Sequence, residues 1–261
     1  EMADAIQKHG GRAIVISRGG PMVRHLDRLG AKHYQLDVHT KNPFRWPQVR
    51  RRLKAILSRE NADLVHVRSR VPAWIALPAA AALGIATVST VHGRFIALSA
   101  LKRMYNRKLL KTDHVIAISN YVKDLITSQY VDVKERLTVV HRGVDVDLFN
   151  PDNVNQTRIV NFVEGLAIPE DVPVIMLPAR ATMWKGHRIL LQALAKIKDR
   201  PFICLMIGAG DGKPAFVSEL VRYGQQLGLE GRFRLTPLVD DMPAALMVAD
   251  VVAMPSITPE P

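Results

Sequence analysis

Val174-Ile175-Met176-Leu177-Pro178-Ala179-Arg180-Ala181-Thr182-Met183-Trp184-Lys185-Gly186 opens on four apolar residues, crosses a loop with one arginine and one lysine, and stops at a glycine. Beyond it, residues 186–197 place apolar side chains at helical spacing. A short apolar run without alternation reads as a strand buried on both faces, as in a parallel sheet covered by helices. The stretch therefore predicts strand, loop and helix in that order, the repeating unit of an α/β fold.

The same beat runs on in both directions. Downstream, strands are expected at 202–207, 232–235 and 251–254, with helices at 214–227 and 242–248. Upstream, residues 150–171 contain no convincing strand and mark a boundary. Before them, strands are expected at 13–17, 34–38, 63–67, 86–91, 114–118 and 137–140. Helices are expected at 1–8, 22–29, 47–60, 72–83, 98–110 and 120–129. Two successive series predict two Rossmann-like, doubly wound parallel sheets, one in residues 1–150 and one in residues 151–261.

With 261 residues, 48% of them apolar and 23% charged, the chain has the balance of a globular protein. Its one cysteine, Cys204, rules out an intrachain disulfide. No apolar run reaches the roughly 18 residues of a membrane-crossing helix. The chain opens inside a helix at Glu1 and stops at Pro261, and reads as a fragment trimmed at both ends. The net charge of +12 is unevenly spread. Residues 1–150 carry 25 Lys and Arg against 12 Asp and Glu, whereas residues 151–261 carry 11 against 12. The first half is thus expected to face something anionic: nucleic acid, an acidic membrane surface or a phosphorylated acceptor.

In open α/β sheets, ligands bind beyond the C-terminal ends of strands. Arg180 and Lys185 stand there, ahead of a helix whose free N–H groups favour anions. They can converge on one diphosphate; by spacing alone, two solvated cations on a surface loop are slightly favoured. Gly208, Gly210 and Gly212 allow a close backbone approach to a ligand, or form a plain turn. They match neither a dinucleotide fingerprint nor a P-loop. His92, with Gly93 and Arg94, suits a sugar hydroxyl or a phosphate, or a structural hydrogen bond. His66, Arg68, Ser69 and Arg70 follow the adjacent strand and read first as a polar loop. Ser119 can cap the helix that follows it. Glu260 follows a Pro255-Ser256 turn, and its carboxylate suits sugar hydroxyls. No histidine cluster of metal-ligand type occurs.

Taken in order, these marks resemble the retaining glycosyltransferases of GT-B fold in family four. Asp63-Leu64-Val65-His66 and Thr90-Val91-His92-Gly93 resemble that family's acceptor-domain strand ends. Ala117-Ile118-Ser119-Asn120 and Arg142-Gly143-Val144-Asp145, running on to Phe149 and Pro151, resemble its serine turn and its NGVD sequence. Arg180, Lys185 and Gly186 match its diphosphate-binding residues, and Gly208 to Gly212, Ala249-Asp250-Val251 and Glu260 follow in order. Three departures stand out. The family's first glycine-rich loop would precede Glu1; only the first of its paired glutamates, Glu260, is present; and Arg142 replaces the usual asparagine. The stretch from Arg68 to Trp74 resembles enzymes of lipopolysaccharide core assembly.

The resemblance implies transfer of a sugar from a UDP-, GDP- or ADP-sugar to a glycan, lipid-linked or phosphorylated acceptor, with retention. It implies two domains facing a cleft, both incomplete in this sequence. Donor contacts would come from Arg180, Lys185, Gly186, Gly208, Gly210, Asp211 and Glu260. Arg180 and Lys185 would meet the leaving diphosphate, and His92 and Glu260 would touch the donor sugar. His66, Arg68, Arg94, Ser119 and Arg142 are candidates for the acceptor or its phosphate. No metal or other cofactor is expected. A cytoplasmic location is expected, with the basic helix 47–60 and Lys102, Arg103, Arg107, Lys108 and Lys111 resting on anionic lipid at the inner face of the membrane. The other readings are a sugar-nucleotide epimerase, a binding-only relative and, further off, a nucleic-acid-binding protein. The last calls for aromatics among the basic residues, and helix 47–60 has none.

Overall fold

The computed structural model describes residues 2–20, 22–93 and 95–260. The chain divides into two compact units, one ending at Arg142 and one spanning Gly143–Glu260. The division falls slightly ahead of the break read from the sequence at residue 150. No helix among the described residues is long and apolar enough to cross a membrane.

In the first unit, β1 (Ile14–Ser17) pairs in parallel with β2 (Lys32–Gln35). A separate parallel sheet runs β3 (Leu64–Val67), β4 (Ala86–Val91), β5 (His114–Ala117), β6 (Leu137–Val139) in that spatial order. The expected single sheet is therefore two hydrogen-bonded pieces among the described residues. Strand β2 also begins earlier than the expected 34–38. The Lys32 N–H donates to the Ala13 carbonyl and Leu36 N–H to Ser17, so the ladder along β1 sets the register. Leu36 is drawn instead into the core.

Helix α1 (Met2–Lys8) precedes β1, and α2 (Val23–Arg28) joins β1 to β2. Helix α3 (Trp46–Arg59) shows why the basic segment folds. Val49, Leu53 and Leu57 recur every fourth residue and are buried, while Arg50, Arg51, Arg52 and Lys54 stay outside. Each buried side chain contributes about 1.5–3 kcal/mol. Glu60, just past the helix, accepts hydrogen bonds from Lys32 Nζ (2.7 Å) and from the Tyr34 hydroxyl, tying β2 to the end of α3. Helix α4 (Arg70–Ala81) is almost wholly apolar and packs against α3. Helices α5 (Ala100–Arg107) and α6 (Asn120–Thr127) follow β4 and β5. Val67, Val91, Val115 and Ala117 face the shared core with Ile75, Val122, Ile126 and Tyr130. The opposite face of this sheet carries polar pairs: His66 Nε2 lies 2.7 Å from Thr90 Oγ1 and His114 Nε2 lies 2.8 Å from Thr138 Oγ1.

In the second unit the parallel order is β10 (Val251–Val252), β7 (Val174–Met176), β8 (Ile203–Ile207), β9 (Phe233–Thr236). Strand β8 is buried throughout, and its side chains alternate between two cores. Cys204 and Met206 join Leu190, Leu191 and Leu194 of α8 (His187–Ala195) and Leu220 of α9 (Pro214–Gln226). Ile203, Leu205 and Ile207 join Phe162 of α7 (Gln156–Gly165) and Ala245 of α10 (Met242–Val248). Helices thus cover both faces, the doubly wound arrangement expected. Helix α7 was not anticipated within 150–171, because it buries none of its residues completely. Asn155 caps it, accepting from Arg158 N–H at 3.0 Å, and Arg158 grips Asp241 of the α10 cap at 2.7 and 2.8 Å.

Candidate active site

In the second unit, the loops after β7, β8 and β9 meet at one edge of the sheet. The α-carbon of Gly210 fits against Thr236, where a side chain would stand 2.9 Å from backbone carbon. Gly212 lies against Ala181 with equally little room, and Gly208 takes a left-handed φ of 79° beside the Arg180 backbone. These glycines let three loops close on one another. Asp211 is spent on this closure: its carboxylate accepts from the Leu238 N–H at 2.7 Å.

After β7 the chain passes Arg180 and the 3₁₀ turn Met183–Lys185 and enters α8 at Gly186. Gly186 has φ 75°, and a side chain there would fall 1.9 Å from the Pro255 carbonyl oxygen. Ile257 N–H donates to the Trp184 carbonyl at 2.9 Å. The segment after β10 is therefore laid directly on the turn that carries Lys185. As a result, Lys185 Nζ sits 2.7 and 2.6 Å from the two oxygens of Glu260. Ser256 Oγ donates to the same carboxylate. Burial pushes the Glu260 carboxyl up, but the Lys185 ammonium and Ser256 hydroxyl outweigh it and hold the group below the usual Glu range. Lys185 also lies 4.5 Å from the centre of the Trp184 ring. Arg180 is exposed on the same loop and has no carboxylate partner among the described residues.

His187 was not singled out from the sequence. It is fully buried, and its Nε2–H donates to the Ala179 carbonyl at 3.1 Å, fastening the Arg180 loop to the first turn of α8. Burial holds its imidazole neutral. Thr182, Thr236 and Thr258, near these loops, each keep a buried hydroxyl without a partner among the described residues. A polar residue at a helix start beside Lys-Gly was the available signal for His187; Ser256 and Thr182 gave none beyond ordinary loop composition.

In the first unit, strand ends β3, β4 and β6 bring Arg68, His92 and Arg142 together. Arg68 Nε donates to His92 Nε2 at 2.9 Å, and Arg142 Nη2 lies 3.0 Å from His92 Nδ1. A neutral imidazole accepts at one nitrogen only. With Nε2 accepting from Arg68, Nδ1 carries the ring proton, so Arg142 Nη2 faces an N–H and finds no acceptor at the ring. Burial, with the charges of Arg68 and Arg142, pushes the His92 pKa down to about 4, so the ring is neutral at pH 7. The cluster holds surplus donors, an arrangement that suits an anion. His66 is engaged by Thr90 and by Met2 Sδ at 3.1 Å, and burial, with Arg68, lowers its pKa. Ser119 caps α6, accepting from Val122 N–H at 3.2 Å. Arg94 lies outside the described residues. No group of three or more metal-ligating side chains occurs among the described residues.

Residues 1–148 match the model of Glycosyltransferase Family 4, and residues 172–260 match that of Glycosyl transferases group 1. A D-inositol 3-phosphate glycosyltransferase of Xylanimonas cellulosilytica is 33% identical over 137 residues, covering 51% of this chain and 32% of that protein. One from Corynebacterium glutamicum is 29% identical over 166 residues, covering 60% and 39%. The chain thus spans roughly a third of the length of these relatives. A crystal structure of a glycosyltransferase from Rickettsia africae is 32% identical with a TM-score of 0.87, covering 99% of this chain and 68% of that one. Anabaena HepE, solved in complex with UDP-glucose, shares the fold at 21% identity and a TM-score of 0.80, covering 100% and 70%. The two parallel α/β units are those of the GT-B architecture, and the chain belongs to glycosyltransferase family 4.

Proposed function

We propose that this protein transfers a hexose from a nucleotide diphosphate sugar to a phosphorylated acceptor, with retention at the anomeric carbon. The observation that carries the reading is the Lys185–Glu260 pair at the mouth of α8, with Arg180 on the same loop and without a carboxylate partner among the described residues. In the donor complex the pair separates into two tasks. Lys185 turns to the diphosphate, and Glu260 accepts hydrogen bonds from hydroxyls of the transferred sugar. As the glycosidic bond breaks, negative charge grows on the departing phosphate oxygen. Arg180, Lys185 and the free N–H groups of α8 stabilise it in place, the role of preorganised donors. No metal is assigned to this step. Anabaena HepE, of the same fold, holds UDP-glucose, which supports a uridine diphosphate donor.

For the acceptor, Arg68 and Arg142 flank His92 with donors to spare, and that supports a phosphate on the acceptor. The relatives named for inositol 3-phosphate agree in chemistry. A lipid-linked glycan of cell-surface or lipopolysaccharide assembly presents the same phosphate chemistry and is the wider form of this proposal. A thermal-shift panel of UDP-, GDP- and ADP-sugars beside Lys185→Ala tests the donor half. At a hundredfold over its dissociation constant a ligand adds about 2.7 kcal/mol. A shift with one nucleotide, lost in the variant, is expected; no shift with any of them overturns the reading.

A further inference from the structure

Helix α5 is turned the wrong way for a soluble protein. Ser99 starts it, accepting from Lys102 N–H at 3.2 Å, and of its eight residues only Asn106 is buried. Leu101 and Met104, one turn apart, are 72% and 57% exposed, and Leu98 just ahead is 97% exposed. An amphipathic helix ordinarily buries its apolar stripe. Here polar Asn106 is inside and the leucine and methionine face out.

This outward stripe continues across the unit. Tyr105 of α5 stacks on Trp74 of α4 at 6.4 Å between ring centres, and Trp74 stacks on Trp46 of α3 at 5.9 Å. Two residues before Trp46, Phe44 is 91% exposed. Three helices are thus bridged by one aromatic band with an exposed apolar side chain at each end. Beside the band lies an open cavity of about 400 Å³, lined by Trp46, Arg50, Trp74, Pro78 and Lys108 among others. Lys108 Nζ stands 5.6 Å from the Trp74 ring centre and Lys102 Nζ 5.8 Å from that of Tyr105. None of Arg50, Lys102, Arg103, Lys108 and Lys111 has a carboxylate partner among the described residues.

We propose that this α3–α4–α5 face docks on an anionic phospholipid bilayer, with Phe44, Leu98, Leu101 and Met104 inserted among the headgroups and a lipid phosphate held in the cavity between Arg50 and Lys108. Each part has its chemistry. Aliphatic and phenyl groups gain by leaving water for the acyl boundary. Tryptophan and tyrosine settle at the level of the headgroups. Unpaired lysines and arginines meet the negative surface. A second copy of the chain is a poor occupant, since two faces of the same positive charge repel. Nucleic acid is also a poor one, since it offers nothing to the aliphatic tips.

The face belongs to the first unit alone, and its test is separate from the donor assay. Sedimentation is measured with vesicles of phosphatidylcholine alone and of phosphatidylcholine mixed with phosphatidylglycerol, across rising salt. Binding to the mixed vesicles is expected, with a residue that survives salt. The exposed pair Leu101→Glu with Met104→Glu is expected to lower vesicle partition about tenfold or more, and Lys102→Glu with Arg103→Glu to remove the salt-sensitive part. The control Val160→Glu, on α7, is expected to change nothing, and the donor-induced thermal shift is expected to survive in every variant. Binding that is unchanged by Leu101→Glu with Met104→Glu overturns the proposal. So does binding to neutral lipid alone, a concentration-dependent dimer abolished by the same pair, or a nucleic-acid gel shift that depends on it.

Discussion

Lys185 and Glu260 stand 75 residues apart in the chain and meet at 2.6 Å. One comes from the turn before α8 and the other from the segment after β10, and the close seat of Gly186 under Pro255 brings them together. The pair is mostly shielded, with 19% and 32% of the two side chains exposed. Breaking it therefore does more than breaking a surface bridge.

Lys185→Ala is expected to lower transfer rate by 10²-fold or more, the usual loss on removing one charge-stabilising donor. Glu260→Gln is expected to weaken donor binding while leaving affinity for the bare nucleotide diphosphate nearly unchanged. Kinetics with donor and with free nucleotide as inhibitor separate the two roles. Because the Glu260 carboxyl titrates below the ordinary range, the pair's contribution to stability is full at neutral pH and lost as pH falls through that lowered value.

Gly186→Ala is expected to fail at the site before it fails in folding. The new methyl would lie on the Pro255 carbonyl, and φ 75° disfavours any side chain. The segment bearing Ser256 and Glu260 must shift, so donor-induced thermal stabilisation is expected to vanish while far-ultraviolet circular dichroism stays that of the parent.

His92 is expected to remain neutral from pH 5 upward, with its pKa near 4. The unfolded chain takes up that proton near the ordinary pKa of about 6.5. The folded state therefore loses stability as pH falls from about 6.5 towards 4, and gains none from this group above. Inorganic phosphate bound between Arg68 and Arg142 is expected to raise the pKa, and Arg142→Gln to raise it without phosphate. Imidazole proton resonances followed through a pH titration read both; a pKa unmoved by phosphate counts against the anion site.

Asp241 both caps α10 and grips Arg158, and the Arg158 hydrogen bonds hold its carboxyl below the usual range. Asp241→Ala is expected to cost about 1–2 kcal/mol, chiefly through the lost cap. Denaturant unfolding followed by tryptophan fluorescence measures it, with Trp184 reporting on this unit.

Cys204 lies in the middle of β8, where burial pushes its thiol up to about 12. It is expected to resist a disulfide-exchange reagent in the folded protein and to react fully after denaturation. Rapid reaction of the native protein would show that β8 is open to solvent.

Much of this was legible in the residues themselves. Strand β4 lies at 86–91 as read, and β8 and α9 fall within a residue or so of expectation. These segments are patterned strongly, and burial of apolar side chains follows the pattern wherever the segment ends up. Helix α7 escaped because its stability comes from Asn155 and from Asp241, a partner 83 residues away from Arg158, rather than from its own periodicity. Ser119 caps α6 as read from the sequence, whereas the turn that Asp211 closes was not legible there. A hydroxyl or carboxylate at a strand end serves the nearest backbone N–H first, and for a partner as far along the chain as Leu238 is from Asp211 the tertiary fold decides whether one is within reach.

The order of apolar runs, glycines and cations along the chain was enough to set the two α/β units and to name the cationic loop before α8, because strand and helix periods are local properties of the chain. Which side chains meet was decided by packing. The pairing of Lys185 with Glu260, the crowding of Arg68 and Arg142 on one imidazole, and the aromatic band from Trp46 to Tyr105 each join residues from separate elements. Their distances follow from how the loops and helices close on the sheets, and electrostatic and stacking energies change steeply over those few ångströms.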